Sequence, residues 1–128
     1  MENIHSIVIV KKEDKFLNVY DKRWDMLLFP NIKGNDIEDI INYVKSAFDV
    51  NINEDNIKFL FDKIHEKYSV SHKENRFYHH YFYEVNTSSI VGDYYTLDEL
   101  LSQEKVKKNN SDIISYIKNY YLDNSGNF

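Results

Sequence analysis

Arg23 and Trp24 stand side by side in the polar stretch DKRWD (21–25), directly after Lys22. A guanidinium beside an indole suits a ligand that carries both an anion and a flat ring: Arg23 pairs with phosphate while Trp24 stacks on a base. The competing reading is a surface loop whose tryptophan covers the edge of the core. A second group lies in the aromatic run NRFYHHYFYEV (75–85), where His79 and His80 are adjacent and His72 stands just upstream. Neighbours on a strand point to opposite faces, so His79 and His80 cannot chelate one ion, and one of them is expected to be packed or hydrogen-bonded within the sheet. Arg76 suits either an anion or an exposed strand end. Asp62, Glu66, Glu84 and Glu99 have metal-binding oxygens, but no spacing gathers them into a cluster. The basic stretch KVKK (105–108) reads as a solvated linker.

Bulk properties narrow the classes available. The chain has 128 residues, which suits one domain (1–123) with a frayed tail (124–128), and it can bury a core without a metal or disulfide staple. There is no cysteine, which excludes disulfides, thiolate metal sites and cysteine nucleophiles and fits a reducing cytoplasm. The formal net charge is -5, from 16 Lys+Arg against 21 Asp+Glu, so a broad duplex nucleic-acid face is not expected, although a small basic pocket is compatible with it. No signal peptide or membrane-spanning apolar run is apparent. Aromatics make up 16% of the chain, with 11 Tyr and 8 Phe, and such residues favour a half-buried pleated surface.

The elements that must position these side chains follow from periodicity. IHSIVIV (4–10) and FLNVY (16–20) read as strands joined as a hairpin, and MLLF (26–29) as a third strand stopped by Pro30. Asn35 or Asp36 can cap a helix over 36–48, with Glu38 and Asp39 in its first turn and Ile37, Ile40, Ile41, Val44 and Phe48 on one stripe. NIKFLFDKIHEKYSVSH (56–72) alternates as one or two strands. In the 75–85 strand Phe77, His79, Tyr81, Tyr83 and Val85 face one way, and Tyr78, His80, Phe82 and Glu84 the other. Thr96 and Glu99 form a capping box for a short helix, and Ile113, Ile114, Ile117 and Tyr121 stripe a last helix over 111–122. The order is β-β-β-α-β-β-α-α, an α+β protein with a mixed sheet and helices packed against it.

This order, with FP closing a strand before a loop and helix, resembles the Nudix hydrolase superfamily over nearly the whole chain, including the closing segment YYTLDELLSQEKVKKNNSDIISYI. The resemblance implies an α/β/α sandwich around a mixed β-sheet. It also implies a helix with an arginine–glutamate pair and a glutamate pair, whose carboxylates gather magnesium against a diphosphate, followed by a glycine. Placing the family's aliphatic positions on Val44 and Val50 puts the arginine–glutamate pair on Asn42 and Tyr43 and the glutamate pair on Ser46 and Ala47. The late glycine then falls on Asp49 and the early glutamate on Gly34 or Asn35. No Asp or Glu lies between Ile40 and Phe48, so the metal site is expected to be missing. WDMLLFPNIK and EKYSVSHKENRFYHHYFYEV also resemble the NUDIX-like domains associated with bacterial oligonucleotide and dinucleotide second messengers (SMODS-associated), which implies a role in antiviral nucleotide signalling.

The resemblance further implies a cleft between the 21–25 loop, the 30–35 loop and the strand around 77–83. Arg23, Trp24, Lys33, His79 and Tyr81 are the expected ligand-binding residues. The expected function is that of a catalytically degenerate Nudix-fold domain that binds a nucleotide-like small molecule or a protein partner, with no cofactor and no duplex nucleic acid or membrane. The alternatives are an active hydrolase of nucleoside diphosphate-linked compounds, whose relocated carboxylates would hold magnesium, and a protein-interaction module with a tyrosine-rich sheet face. A one-residue change of strand register would exchange His79 and Tyr81 for His80 and Phe82.

Overall fold

The computed structural model describes residues 3–69 and 73–125. In chain order its elements are β1 (Asn3–Ile9), β2 (Lys11–Lys12), β3 (Lys15–Asp21), β4 (Met26–Leu28), β5 (Asn31–Lys33), α1 (Ile37–Phe48), a single 3-10 turn (Glu54–Asn56), β6 (Ile57–Ser69), β7 (Glu74–Val85), β8 (Asp93–Tyr95), α2 (Leu97–Leu101) and α3 (Glu104–Ser125). They fall into two compact units, one through Val10 and over Pro30–Val91, the other over Lys11–Phe29 and from Gly92 onward. His72, one of the candidate histidines, lies outside the described residues.

The first unit holds a mixed four-stranded sheet in the order β5-β1-β7-β6. The β-branched run of β1 sits inside it, antiparallel to β5 and parallel to β7. Ile7, Val8 and Ile9 are almost fully buried, as expected for an interior strand. Two long strands, β6 and β7, pair antiparallel from Ile57↔Val85 to Ser69↔Glu74, with an irregularity between Phe59 and Phe61. Among the described residues, Tyr78–Glu84 is the part of β7 that also pairs with β1. In α1, Asp36 is the N-cap: its side chain accepts a hydrogen bond from the Glu38 N–H. Asp49 ends the helix in a left-handed conformation (φ 56°), and Ile40 and Val44 form its buried stripe.

In the second unit, β3 pairs with β2, β4 and β8. Phe16 is fully buried, with ring centroids 6.0 Å from Phe29 and 5.6 Å from Tyr121. Thr96 and Glu99 complete the expected capping box at the start of α2. Ile113, Ile114, Ile117 and Tyr121 are buried on α3, as their spacing predicts.

Several expectations are corrected. β1 and β3 are not a hairpin: β1 joins the first sheet, and the tight hairpin is β2–β3, turning at Glu13 (φ 56°) and Asp14. Asn31–Lys33 is a strand rather than loop, and Asp93–Tyr95 is a further short strand. The KVKK stretch is not a linker but the first turns of α3, anchored by Val106 at 1% exposure. At the far end α3 continues through Ser125, and the rest of the tail expected to fray, 126–128, lies outside the described residues. No described helix is long and apolar enough to cross a membrane.

Candidate functional site

Helix α1 is where the resemblance places a metal site, and its side chains decide whether one can form. Asn42, Ser46 and Ala47 are exposed, and Tyr43 is half-buried, which raises its phenol above the usual range. Carboxylates occur only at the ends of the helix: Asp36, Glu38 and Asp39 before Ile40, and Asp49 after Phe48. At 1.5 Å rise per residue, Asp39 and Asp49 start roughly 15 Å apart along the axis, whereas magnesium ligands lie about 2 Å from the ion. Asp36 already caps the helix. Asp49 is held by Lys45 at 2.7 Å, and that bond lowers its carboxyl below the ordinary range. The donor set of α1 therefore does not fit a divalent cation. Among the described residues no group of three or more His, Cys, Asp or Glu side chains is placed to hold one.

The two faces of the first sheet carry different chemistry. On one, the Nε2 of His79 lies 2.7 Å from the Oδ2 of Asp62, and the His79 ring stacks on Tyr81 with centroids 4.2 Å apart. Phe59 continues this row, 6.2 Å from Tyr81 and 5.5 Å from Tyr83. Tyr83 donates a hydrogen bond to the carbonyl of Asn35 at 3.3 Å, and its phenol is raised above the usual range by burial first, then by Tyr81 and Asp36.

The opposite face carries His5, His65 and His80. The Nε2 of His65 is 2.8 Å from the Nδ1 of His80, and His80 is only 8% exposed. The Nδ1 of His5 is 3.0 Å from the Oδ1 of Asn31. Tyr78 lies nearly parallel to His80 at 6.2 Å, and Phe61 stacks on Phe82 at 4.2 Å.

The expected site residues divide accordingly. His79 and Tyr81 are brought together. Lys33 pairs in register with His5, which pairs in turn with His80, so Lys33 belongs to the face opposite His79 and Tyr81. Both adjacent histidines are hydrogen-bonded within the sheet, His79 to Asp62 and His80 to His65, and His80 is the buried one. Arg23 and Trp24 lie in the second unit, in the turn between β3 and β4. The Trp24 N–H donates to the Oδ1 of Asp21 at 2.9 Å, and the Arg23 guanidinium is 5.9 Å from the Trp24 ring. Trp24 is 54% exposed, so it does not seal the core edge. The second unit also has an open depression of about 220 Å³ lined by Asp14, Thr96, Leu97, Asp98 and Lys118. That is smaller than ligand cavities of roughly 300 Å³ and above. Sequence reasoning passed over His5 and His65. The signal for His65 was the alternation Asp62-Lys63-Ile64-His65-Glu66-Lys67, which sends every cation to one face.

Solved structures agree with this architecture. The C. elegans Ap4A hydrolase superposes with a TM-score of 0.59 at 8% identity, covering 92% of this chain and 98% of that one. A NUDIX hydrolase from Nitrosomonas europaea gives 0.56 at 14% identity, over 96% and 90% of the two chains. A NUDIX-family hydrolase from Clostridium perfringens gives 0.54 at 11%, over 91% and 95%. No protein-family model matches the sequence, and no curated protein matches it either. The chain thus has the Nudix fold, an α+β fold with a mixed sheet, and identities this low speak to the fold alone.

Proposed function

We propose that this chain is a Nudix-fold binding domain that has lost the metal chemistry associated with its fold and retains a nucleotide-like small molecule as its ligand. The observation that carries this is the placement of every acidic side chain of α1 at its two ends, with Asn42, Ser46 and Ala47 exposed between them. Diphosphate hydrolysis on this fold needs cations that bridge the phosphates and activate water, and neutral side chains do not supply charged oxygen ligands. Binding needs less: a ring to stack on the base and a cation for phosphate. Exposed Trp24 beside Arg23 offers both groups in the second unit, and Tyr81 offers a ring in the first. A place in bacterial antiviral nucleotide signalling is the setting this reading favours.

The test is calorimetry of the full chain against a panel of nucleotides and dinucleoside polyphosphates, with and without magnesium, together with a product assay. Metal-independent binding without turnover is expected. Magnesium-dependent turnover would establish a hydrolase with relocated carboxylates instead. A protein-interaction module is the second reading, favoured by the exposure of Phe59 (49%), Ile64 (57%) and Phe77 (52%) on the His79 face of the β6–β7 ribbon. No nucleotide binding at all, with a partner recovered on that face, would establish it.

A further inference from the structure

Three large apolar side chains stand exposed on one stretch of the β6–β7 ribbon: Phe59 and Ile64 on β6, and Phe77 on β7. Register puts them all on the His79 face, where Phe59 opposes Tyr83, Ile64 opposes His79 and Phe77 opposes Glu66. Rings join them into one patch. Phe59 is 6.2 Å from Tyr81, and Tyr81 stacks on His79 at 4.2 Å. Ile64 and Phe77 are diagonal neighbours across the ladder, within side-chain reach of each other. Single exposed hydrophobics are common on a protein surface, but a contiguous patch marks a surface that another element covers.

Charge tells what can cover it. Asp62 and Glu66 project from the same face, on either side of Ile64. Strand alternation sends Lys58, Lys63, Lys67 and Arg76 to the reverse face. Asp62 is held by His79, while Glu66 is exposed and carries no ion pair among the described residues. A second copy of the chain, packed face to face about a twofold axis, would bring the same acids and no lysine or arginine to meet them. The complementary surface is apolar, with cations at its side.

Dimensions select its form. Two strands about 4.8 Å apart make a strip roughly 10 Å wide, and a run from Phe59 to Glu66 at about 3.3 Å per residue is about 23 Å long. A helix is about 10–12 Å across, and roughly four of its turns span about 22 Å. Asp62 and Glu66 stand about 13 Å apart along β6. Cations roughly seven residues apart lie on one side of a helix at a separation of about 10 Å, and the length of a lysine side chain makes up the difference.

We propose that the His79 face of the β6–β7 ribbon binds an amphipathic helix of a partner protein, its apolar stripe on Phe59, Ile64 and Phe77 and its lysines or arginines on Asp62 and Glu66. The inference rests on the protein-interaction reading of this face and names the class of partner; the nucleotide titrations test the other reading separately. The experiment is fluorescence anisotropy of the full chain with a dye-labelled, alanine-based helical peptide of about 18 residues, carrying a leucine stripe flanked by lysines at i and i+7. A second peptide has glutamates in place of the lysines. Wild type is expected to bind the lysine peptide at least about tenfold more tightly than the glutamate peptide. Ile64→Asp and Glu66→Lys are each expected to weaken lysine-peptide binding at least about tenfold, whereas Glu54→Lys, an exposed acid in the 3-10 turn, leaves it within about twofold. If Ile64→Asp does not fold, as judged by its melt, Phe77→Ser is scored by the same criterion. No binding of the lysine peptide at low salt, or equal binding of the two peptides, would overturn the proposal. Dimers of the wild-type chain that Ile64→Asp disperses would also overturn it, while leaving this face a protein-binding surface. Lysine-peptide binding that Ile64→Asp and Glu66→Lys leave unchanged would overturn the face along with the class of partner.

Discussion

The Nε2 of His65 sits 2.8 Å from the Nδ1 of His80, and this bond needs one ring nitrogen to donate and the other to accept. With His80 buried, the pair is the polar centre of its sheet face. A hydrogen bond of this kind contributes on the order of 1 kcal/mol. The expected outcome is a coupling of about that size in a double-mutant cycle of His65→Phe and His80→Phe, measured by urea unfolding. Additive single changes would show that the bond contributes nothing to stability.

Helix α1 separates packing from chemistry. Ile40 is fully buried, so Ile40→Ala is expected to cost about 2–5 kcal/mol. Asp36→Ala, which removes the cap on the Glu38 N–H, is expected to cost about 1 kcal/mol. Ser46→Glu with Ala47→Glu changes exposed positions and is expected to stay within about 0.5 kcal/mol per site. If so, the fold does not forbid glutamates there. Denaturation curves of the three variants check this.

Wild-type α1 is expected to bind no magnesium or manganese. Its melting temperature should not move when either ion is added, and a manganese-soaked crystal should show no anomalous peak within coordination distance of the helix. A peak against Asp39 or Asp49 would contradict the fit drawn from their separation.

The capping box at α2 gives a pH dependence whose sign is determined. Glu99 accepts from the Thr96 N–H at 2.9 Å, and this backbone bond, followed by that from the Thr96 side chain, lowers its carboxyl below the ordinary range. A carboxyl depressed in the folded state contributes stability above its unfolded value and loses it as pH falls through the folded one. Wild type is therefore expected to melt above Glu99→Gln at neutral pH, with the gap closing below about pH 4, the ordinary glutamate range. A gap that persists unchanged into strong acid would show that the charge is not what the cap uses.

Trp24 and Arg23 are exposed, so their alanine variants are expected to melt like wild type. Stacking of a base on an aromatic is worth about 1–3 kcal/mol, so Trp24→Ala is expected to weaken nucleotide binding by roughly 5- to 150-fold in a titration. Variants of both residues that bind as tightly as wild type would place the ligand elsewhere.

The parts of this protein legible in its sequence are those with a local cause. The alternation of 75–85 separates His79 from His80 because successive strand residues point to opposite faces. The α1 stripe, the Asp36 cap and the Thr96–Glu99 box each rest on residues a few positions apart. The absence of carboxylates between Ile40 and Phe48 is likewise a property of the chain alone. Three-residue strands such as β5 and β8 show no period long enough to read, and they exist because partners distant in sequence, β1 and β3, complete their ladders. The start of α3 was hidden in KVKK because only the core around Val106 tells a helical turn from a linker. The site depended most on tertiary structure. The family resemblance implies that Lys33, His79 and Tyr81 serve one ligand, yet pairing through β1 carries Lys33 to the face of His5 and His80, because register between distant strands decides which side chains share a surface.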